Sequence, residues 1–121
     1  MERDNIFMTI IKDFYVTGTD AFEVFPAEGP IDVGNFSTAI IYAAGKSLSS
    51  PAPEVMVETS MDQFQAAWPT GVAAFAVTTA GETNKILPTN TVPLYRWLRV
   101  KVGKTSGSYA GRVTVTLLLK R

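Results

Sequence analysis

The sequence predicts an all-β fold, an antiparallel β-sandwich or jelly roll of about seven or eight strands. Three observations predict this fold. Short segments alternate apolar and polar residues with period two, turn-forming residues separate them at intervals of about 8 to 15 positions, and no segment sustains a helical apolar stripe over three turns. The chain has 121 residues, so we expect a single β-sandwich domain over residues 1–121.

The first predicted strands come before the middle of the chain. Residues 6–16 are apolar on both faces, rich in β-branched and aromatic residues and free of Gly and Pro, so we expect a central strand. Residues 17–20 predict a turn, and residues 21–25 resume the alternation. Residues 36–44 predict another strand, although their alanine-rich end also has helix propensity.

A loop and a half-buried strand follow. Residues 45–53 are rich in Ser, Pro and Gly, and they predict a loop within the domain. Residues 54–59 alternate strictly, so we expect a strand with Val55 and Val57 turned inward.

The next segment is less regular. Residues 60–71, which include Trp68, predict a loop, and residues 72–79 predict a strand. Residues 80–85 predict a turn. Residues 86–94 contain two prolines and predict an extended edge or a loop.

The C-terminal segment predicts a long β-hairpin, in which residues 95–102 and 112–121 pair across a turn region at residues 103–111. The inward faces of its two strands are expected to carry Leu98, Val100, Val102, Val113, Val115, Leu117 and Leu119. Trp97, Arg99 and Lys101 alternate with the first of these residues and are expected on the outer face.

The composition argues against an enzyme. The chain contains no histidine and no cysteine, so it lacks the commonest general base, the commonest metal ligand and a thiolate nucleophile. We therefore expect no catalytic residues, no metal and no cofactor. A weaker alternative is a carboxylate site for glycoside hydrolysis or calcium, formed by Glu54 and Glu58 with Asp62 following.

The net charge is zero, but the charges are unevenly distributed. Residues 1–62 hold ten of the eleven acids and three bases, whereas residues 63–121 hold one acid and eight bases. Two interpretations remain open. The two halves pair within one chain, for example Glu2 and Asp4 with Lys120 and Arg121, or acidic and basic patches meet between subunits or with a partner.

Two classes of partner are disfavoured. The bases alternate with apolar strand positions and are balanced by equal acid, so we expect no nucleic-acid binding. No apolar run approaches the roughly 18 residues of a membrane-spanning segment, and the first residues do not resemble a signal peptide, so we expect no membrane association.

Aromatic residues mark the candidate contact site. Trp68, Tyr95, Trp97 and Tyr109 either pack in a core or interface or form a platform on which sugar rings stack. Tyr109 is surrounded by Gly and Ser, so we expect it at a loop tip. The residues predicted to form a protein interface are Arg96, Trp97, Arg99, Lys101 and Tyr109.

Two segments resemble a known class of proteins. The run Val-Met-Val-Glu-Thr-Ser-Met-Asp at residues 55–62, followed by Trp68, precedes Tyr-Arg-Trp-Leu-Arg-Val at residues 95–100 and the closing strand at residues 113–117. This pattern resembles small β-sandwich structural proteins of tailed bacteriophages, and it is also similar to discoidin-like carbohydrate-binding jelly rolls. Asp62-Gln63 departs from the Asp-Gly turn that is common in the phage proteins.

The resemblance to the phage proteins implies a virion structural protein, most specifically a capsid decoration or cement protein of the phage head. The implied partners are the major capsid protein or another virion protein. A homo-oligomer, namely a trimer, and a location in a virion assembled in the host cytoplasm are also implied. A tail, fibre or adaptor component and a carbohydrate-binding module of jelly-roll fold remain the alternatives.

Overall fold

The structure is a computed structural model, and it describes residues 5–64, 72–76 and 83–121. Within these residues the chain forms β-strands and no helix, so no described helix is long and apolar enough to cross a membrane. The strands are β1 (Asn5–Thr19), β2 (Phe22–Phe25), β3 (Ile31–Asp32), β4 (Thr38–Lys46), β5 (Glu54–Ser60), β6 (Val72–Ala76), β7 (Thr83–Leu87), β8 (Trp97–Gly103) and β9 (Ser108–Lys120).

The strands form two antiparallel sheets. Sheet A has the order β1-β9-β4-β7, and sheet B has the order β2-β8-β5-β6, with the short β3 also paired to β8. The first strand pairs with the last, and the pairing continues towards the middle of the sequence: β1 with β9, β2 with β8, β4 with β7 and β5 with β6. This is the arrangement of a jelly roll, so the predicted antiparallel β-sandwich is confirmed.

The predicted C-terminal hairpin is wrong. β8 pairs with β5, β2 and β3 in sheet B, whereas β9 pairs with β1 and β4 in sheet A. Residues 104–107 carry the chain from one sheet to the other. Period-two patterning requires only that one face of each strand be buried. Two strands that stack across the core satisfy this requirement as well as two neighbours in one sheet.

The predicted central strand at residues 6–16 is an edge strand instead. β1 lies at one end of the described order of sheet A, and its register with β9 shifts twice between Thr9 and Phe14. The predicted turn at residues 17–20 is also wrong in part, since β1 continues to Thr19 and the backbone reverses at Asp20, where φ is 52°. The inner face of β1 packs on the core, and its outer face carries apolar side chains that are exposed, so the strand is apolar on both faces.

The core lies between the sheets and contains the residues that the alternation predicted. Leu98, Val100 and Val102 of β8 face Val113, Val115, Leu117 and Leu119 of β9 across it, and each is at most 1% exposed. Val55 and Val57 are also fully buried, as predicted. Burying one such side chain stabilises the fold by roughly 1.5–3 kcal/mol relative to leaving it exposed.

Most of the other predicted elements are confirmed. The predicted strands at residues 21–25, 36–44 and 54–59 correspond to β2, β4 and β5, and the alanine-rich end of β4 is strand. The loop at residues 45–53 begins after Lys46.

Several predictions fall partly outside the described residues. β6 ends at Ala76, and the remainder of the predicted strand at residues 72–79 is not described. Trp68 and residues 1–4 are likewise outside the described residues. β7 begins at Thr83 within the predicted turn, and it is an edge strand of sheet A that ends at Leu87.

Candidate interaction faces of the sandwich

The outer face of sheet B carries most of the predicted interface residues. Lys101 lies opposite Met56 in the register of β8 with β5, Arg99 lies opposite Glu58, and Trp97 lies opposite Ser60. Since Leu98, Val100 and Val102 point into the core, Trp97, Arg99 and Lys101 point outward, as the alternation predicted.

A carboxylate lies at the centre of this face. Arg99 Nε donates a 2.7 Å hydrogen bond to Glu58 Oε1, and Lys101 Nζ lies 3.4 Å from Glu58 Oε2. Glu58 is only 8% exposed, and a buried carboxylate is tolerated when it is paired and hydrogen-bonded. We call these three residues the Glu58 cluster.

The Glu58 cluster bears on the carboxylate hypothesis. Both oxygens of Glu58 contact cations of the same chain, whereas a calcium ligand or a catalytic nucleophile needs an accessible oxygen. In the part of the chain that the structure describes, no three acids lie close enough to hold a metal ion.

Cations also cover aromatic rings on the outer face of sheet B. The Arg96 guanidinium lies 5.1 Å from the centroid of the Trp97 ring, and Arg96 Nη2 lies 3.1 Å from Asp32 Oδ2. Lys101 Nζ lies 5.3 Å from the centroid of the Phe22 ring. The hydrogen bonds from Arg96 and from the Gly34 backbone N–H hold the pKa of Asp32 below its ordinary value. Because its guanidinium lies over the ring, Arg96 occupies one face of Trp97, and a sugar ring would need a free face on which to stack.

Tyr109 does not belong to this face. The predicted loop-tip position is wrong, because Tyr109 lies in β9, is 5% exposed and belongs to the core. Its ring packs against Gly18, where an added Cβ would lie 2.7 Å from the Tyr109 hydroxyl. Burial, and then the nearby Glu23 carboxylate, raise the pKa of Tyr109. Tyr109 has the same parity as Val113, so extending the alternation through Gly111 would have placed it inward.

The ion pairs favour the intramolecular interpretation of the charge asymmetry. Asp32, Glu58 and Asp13 of the acidic half pair with bases of the basic half, and Lys46 adds one pair to Asp13 within the acidic half. The expected pairs of Glu2 and Asp4 fall outside the described residues, although Asn5 does pair with Lys120 in the sheet.

The outer face of sheet A is chemically different. An apolar row crosses all four strands at one level of the register, and we call it the sheet A row: Phe7, Leu118, Ile40 and Ile86. Phe7 is 63% exposed and Ile86 is 51% exposed. The next level of the register is uncharged and consists of Thr9, Thr116, Tyr42 and Asn84.

Cations lie at both ends of this face. Lys120 follows the sheet A row at one end, and Arg112 and Lys46 lie opposite each other at the other end. Asp13 accepts a 3.0 Å hydrogen bond from Arg112 Nε and lies 3.9 Å from Lys46 Nζ. The Arg112 hydrogen bond holds the pKa of Asp13 below its ordinary value.

Sequence reasoning did not identify the sheet A row. The signal was present in residues 6–16, since a strand that is apolar on both faces buries the second face either inside the fold or against something else. The outward positions Ile40 and Leu118 were also apolar, but only the register shows that they align.

Comparisons with known proteins place the chain as follows. No protein-family model matches it, and no curated protein sequence matches it significantly. Among solved structures, it is similar to a chain of the infectious bursal disease virus Gx strain structure, with 10% sequence identity and a TM-score of 0.33. The similarity covers 96% of this chain and 32% of the viral chain, so this chain spans about a third of that length.

Proposed function

We propose that this chain is a structural component of a virus particle that acts through protein–protein contacts, most specifically a head decoration protein of a tailed bacteriophage. The observation that carries the proposal is the outer face of sheet A. Outward strand positions of a sandwich are ordinarily polar, yet the sheet A row is apolar, continuous across four strands and exposed at Phe7 and Ile86. Contiguous apolar surface of this kind is typical of an interaction site.

The fold and the sequence pattern narrow the class of particle. The jelly roll is the fold of viral capsid domains and of lectin domains, which is an argument by fold analogy. The segments at residues 55–62 and 95–100 resemble small structural proteins of tailed phages, and this resemblance favours the viral class.

A decoration protein of this kind acts by binding. A small homo-oligomer, for which we propose a trimer, bridges neighbouring capsid subunits and adds contacts that the assembled shell lacks alone. Because it binds the assembled shell and not dispersed subunits, it shifts the equilibrium towards the shell by mass action. Several chains that bind together add avidity.

We propose that the two outer faces have separate partners: the sheet A row serves contacts between copies of the chain in the oligomer, and the shell contacts the outer face of sheet B at Trp97 and Arg96. The Arg96 side chain is 60% exposed, whereas Arg99 and Lys101 are both held by Glu58 at 23% exposure. Aromatic and Arg side chains dominate interface energies, whereas cations at the rim contribute little. Arg99 and Lys101 therefore support this contact by positioning the strand, and Tyr109 leaves the proposed set because it is buried.

The test is co-sedimentation with empty heads of the virus that encodes the chain. We expect saturable binding and a higher temperature at which the heads open. Trp97→Ala should weaken binding much more than the control Lys101→Ala, with unfolding midpoints measured for both. Binding to tails alone would assign the chain to a tail, fibre or adaptor.

A carbohydrate-binding module is the second candidate, favoured by the half-buried Trp97 with the exposed Arg96 and Asp32 beside it; since Arg96 covers one face of the ring, a sugar would stack on the other face. A chain that ignores heads and tails but binds an immobilised glycan, and loses that binding in Trp97→Ala, would replace the viral proposal with this one.

A further inference from the structure

We propose that the outer face of sheet A binds a second copy of this chain, which presents the edge formed by its β1 and β2 strands. The association is head-to-tail, because each copy contributes a different surface. This inference concerns the purified chain, so it can fail while binding to phage heads stands, and the reverse also holds.

The charges on the outer face of sheet A argue against self-association through the same face on both copies. Lys120 lies at one end of this face, and Arg112 and Lys46 lie at the other end, where both already engage Asp13. A second copy of the same face would set cations against cations, which suppresses such a pairing. The complementary surface is uncharged at its centre, with apolar groups to cover the sheet A row, and has carboxylates at both ends.

The β1–β2 edge of the same chain carries a carboxylate on each side of an exposed aromatic ring, with the exposed Lys12 in the irregular segment of β1 just before that ring. Its centre is Phe14, which is 47% exposed and packs edge-to-face on Phe25 at a centroid distance of 5.9 Å. Glu28 borders a shallow concavity with Met8, Thr9 and Ile10 of β1.

Glu23 lies towards the opposite end of β1, since it is the second residue of β2, which begins three residues after β1 ends at Thr19, and it pairs with Val102 of β8. Among the described residues, Glu23 and Glu28 form no ion pair, and both are exposed.

The order of the charges along the two surfaces agrees. The carboxylates lie beside opposite ends of β1, and the cations Lys120 and Arg112 lie towards opposite ends of β9, which pairs with β1 along its length. Opposite charges therefore meet at both ends when an edge lies along a face, with Phe14 over the uncharged levels of the register between them.

The available area is that of a modest interface. Four strands about 4.8 Å apart, over eight residues of about 3.4 Å each, span a plane of roughly 500 Å². An interface of about 1,000 Å² in total is at the lower limit for specific association. Because an edge meets a face at an angle, successive copies follow a curve, and heterologous contacts of this type close into rings when the rotation allows.

The test uses two variants that each damage one surface. The face variant is Phe7→Ser with Ile86→Ser, and the edge variant is Glu23→Lys with Glu28→Lys; all four positions are exposed, so both variants should fold. Sedimentation equilibrium should show concentration-dependent association of the wild type and at least tenfold weaker association of each variant. Glu54→Lys on sheet B is the control for a charge reversal away from both surfaces and should associate as the wild type does.

A mixing experiment identifies the head-to-tail geometry. In an equimolar mixture, the edge variant still offers an intact face and the face variant still offers an intact edge, so the mixture should regain one productive contact and form dimers. Contact through identical faces predicts instead that the edge variant associates normally and that mixing restores nothing. Either that result or a wild type that remains monomeric at all concentrations would overturn the inference.

Discussion

The two outer faces of the sandwich differ in where their side chains find partners. On sheet B, Arg99 and Lys101 bind Glu58, and Arg96 binds Asp32 and covers Trp97. On sheet A, a row of apolar side chains crosses four strands with Phe7 and Ile86 largely exposed. The residues whose chemistry resembled an interface in the sequence are largely satisfied within the chain, and the less conspicuous face is the uncovered one.

Composition alone does not identify a contact surface. A cation beside an aromatic residue is equally suited to a partner protein and to its own sheet. An apolar side chain on an outward strand position has no polar group to satisfy, so its exposure persists until another surface covers it.

The largest expected effect tests whether sheet B is satisfied internally. Glu58→Ala leaves Arg99 and Lys101 without their carboxylate, and breaking a buried ion pair by removing one partner costs about 3–5 kcal/mol. We expect about 3 kcal/mol, since each cation is 23% exposed. Urea unfolding measures it, with Thr116→Ala on sheet A as the control. Equal midpoints for the two variants would show that the Glu58 cluster does not hold the face together.

The second prediction tests the core that both sheets share. Val115→Ala in β9 and Val100→Ala in β8 each remove buried methyl groups from opposite sides of one core, and each should cost about 2 kcal/mol. Thermal unfolding of both variants provides the measurement. If Val115→Ala left the midpoint unchanged, β9 would be out of register by one residue.

The third prediction contrasts stability with association on sheet A. Phe7→Ser removes an aromatic ring that is 63% exposed, so the free energy of unfolding of the dilute monomer should change by no more than about 0.5 kcal/mol. Chemical unfolding at low protein concentration isolates this quantity. A loss comparable to that of a core variant would mean that the fold itself covers the ring.

The smallest expected effect is the pH dependence of the exposed ion pairs on the two faces. Arg112 lowers the pKa of Asp13 and Arg96 lowers that of Asp32. The pKa of each carboxyl group is therefore lower in the folded chain than in the unfolded chain, where it is about 3.9. Each ion pair adds stability at pH values above the unfolded pKa, and this stability is lost as the pH falls through the folded pKa.

NMR titration of the carboxyl carbons should show that Arg112→Gln raises the pKa of Asp13 and leaves that of Asp32 unchanged, with Arg96→Gln as the reciprocal control. Identical titrations in the wild type and both variants would contradict the described pairs.

Much of the fold could be predicted from the sequence. Period-two alternation places Leu98, Val100, Val113 and Val115 in the core, and it places Trp97 outward, because a strand turns successive side chains to opposite faces whatever its neighbours are. Turn residues separate the strands, and the absence of a sustained helical stripe predicts the all-β class.

The partner of each strand was decided by the tertiary structure. Alternation specifies which face of a strand is buried and not which strand lies beside it, so β8 and β9 were expected as a hairpin and belong to different sheets. The same reason applies to the two faces. Glu58 is 41 residues from Arg99 along the chain, and the sheet A row joins β1, β4, β7 and β9. Contacts between residues so far apart in sequence exist only once the register of every intervening strand is set.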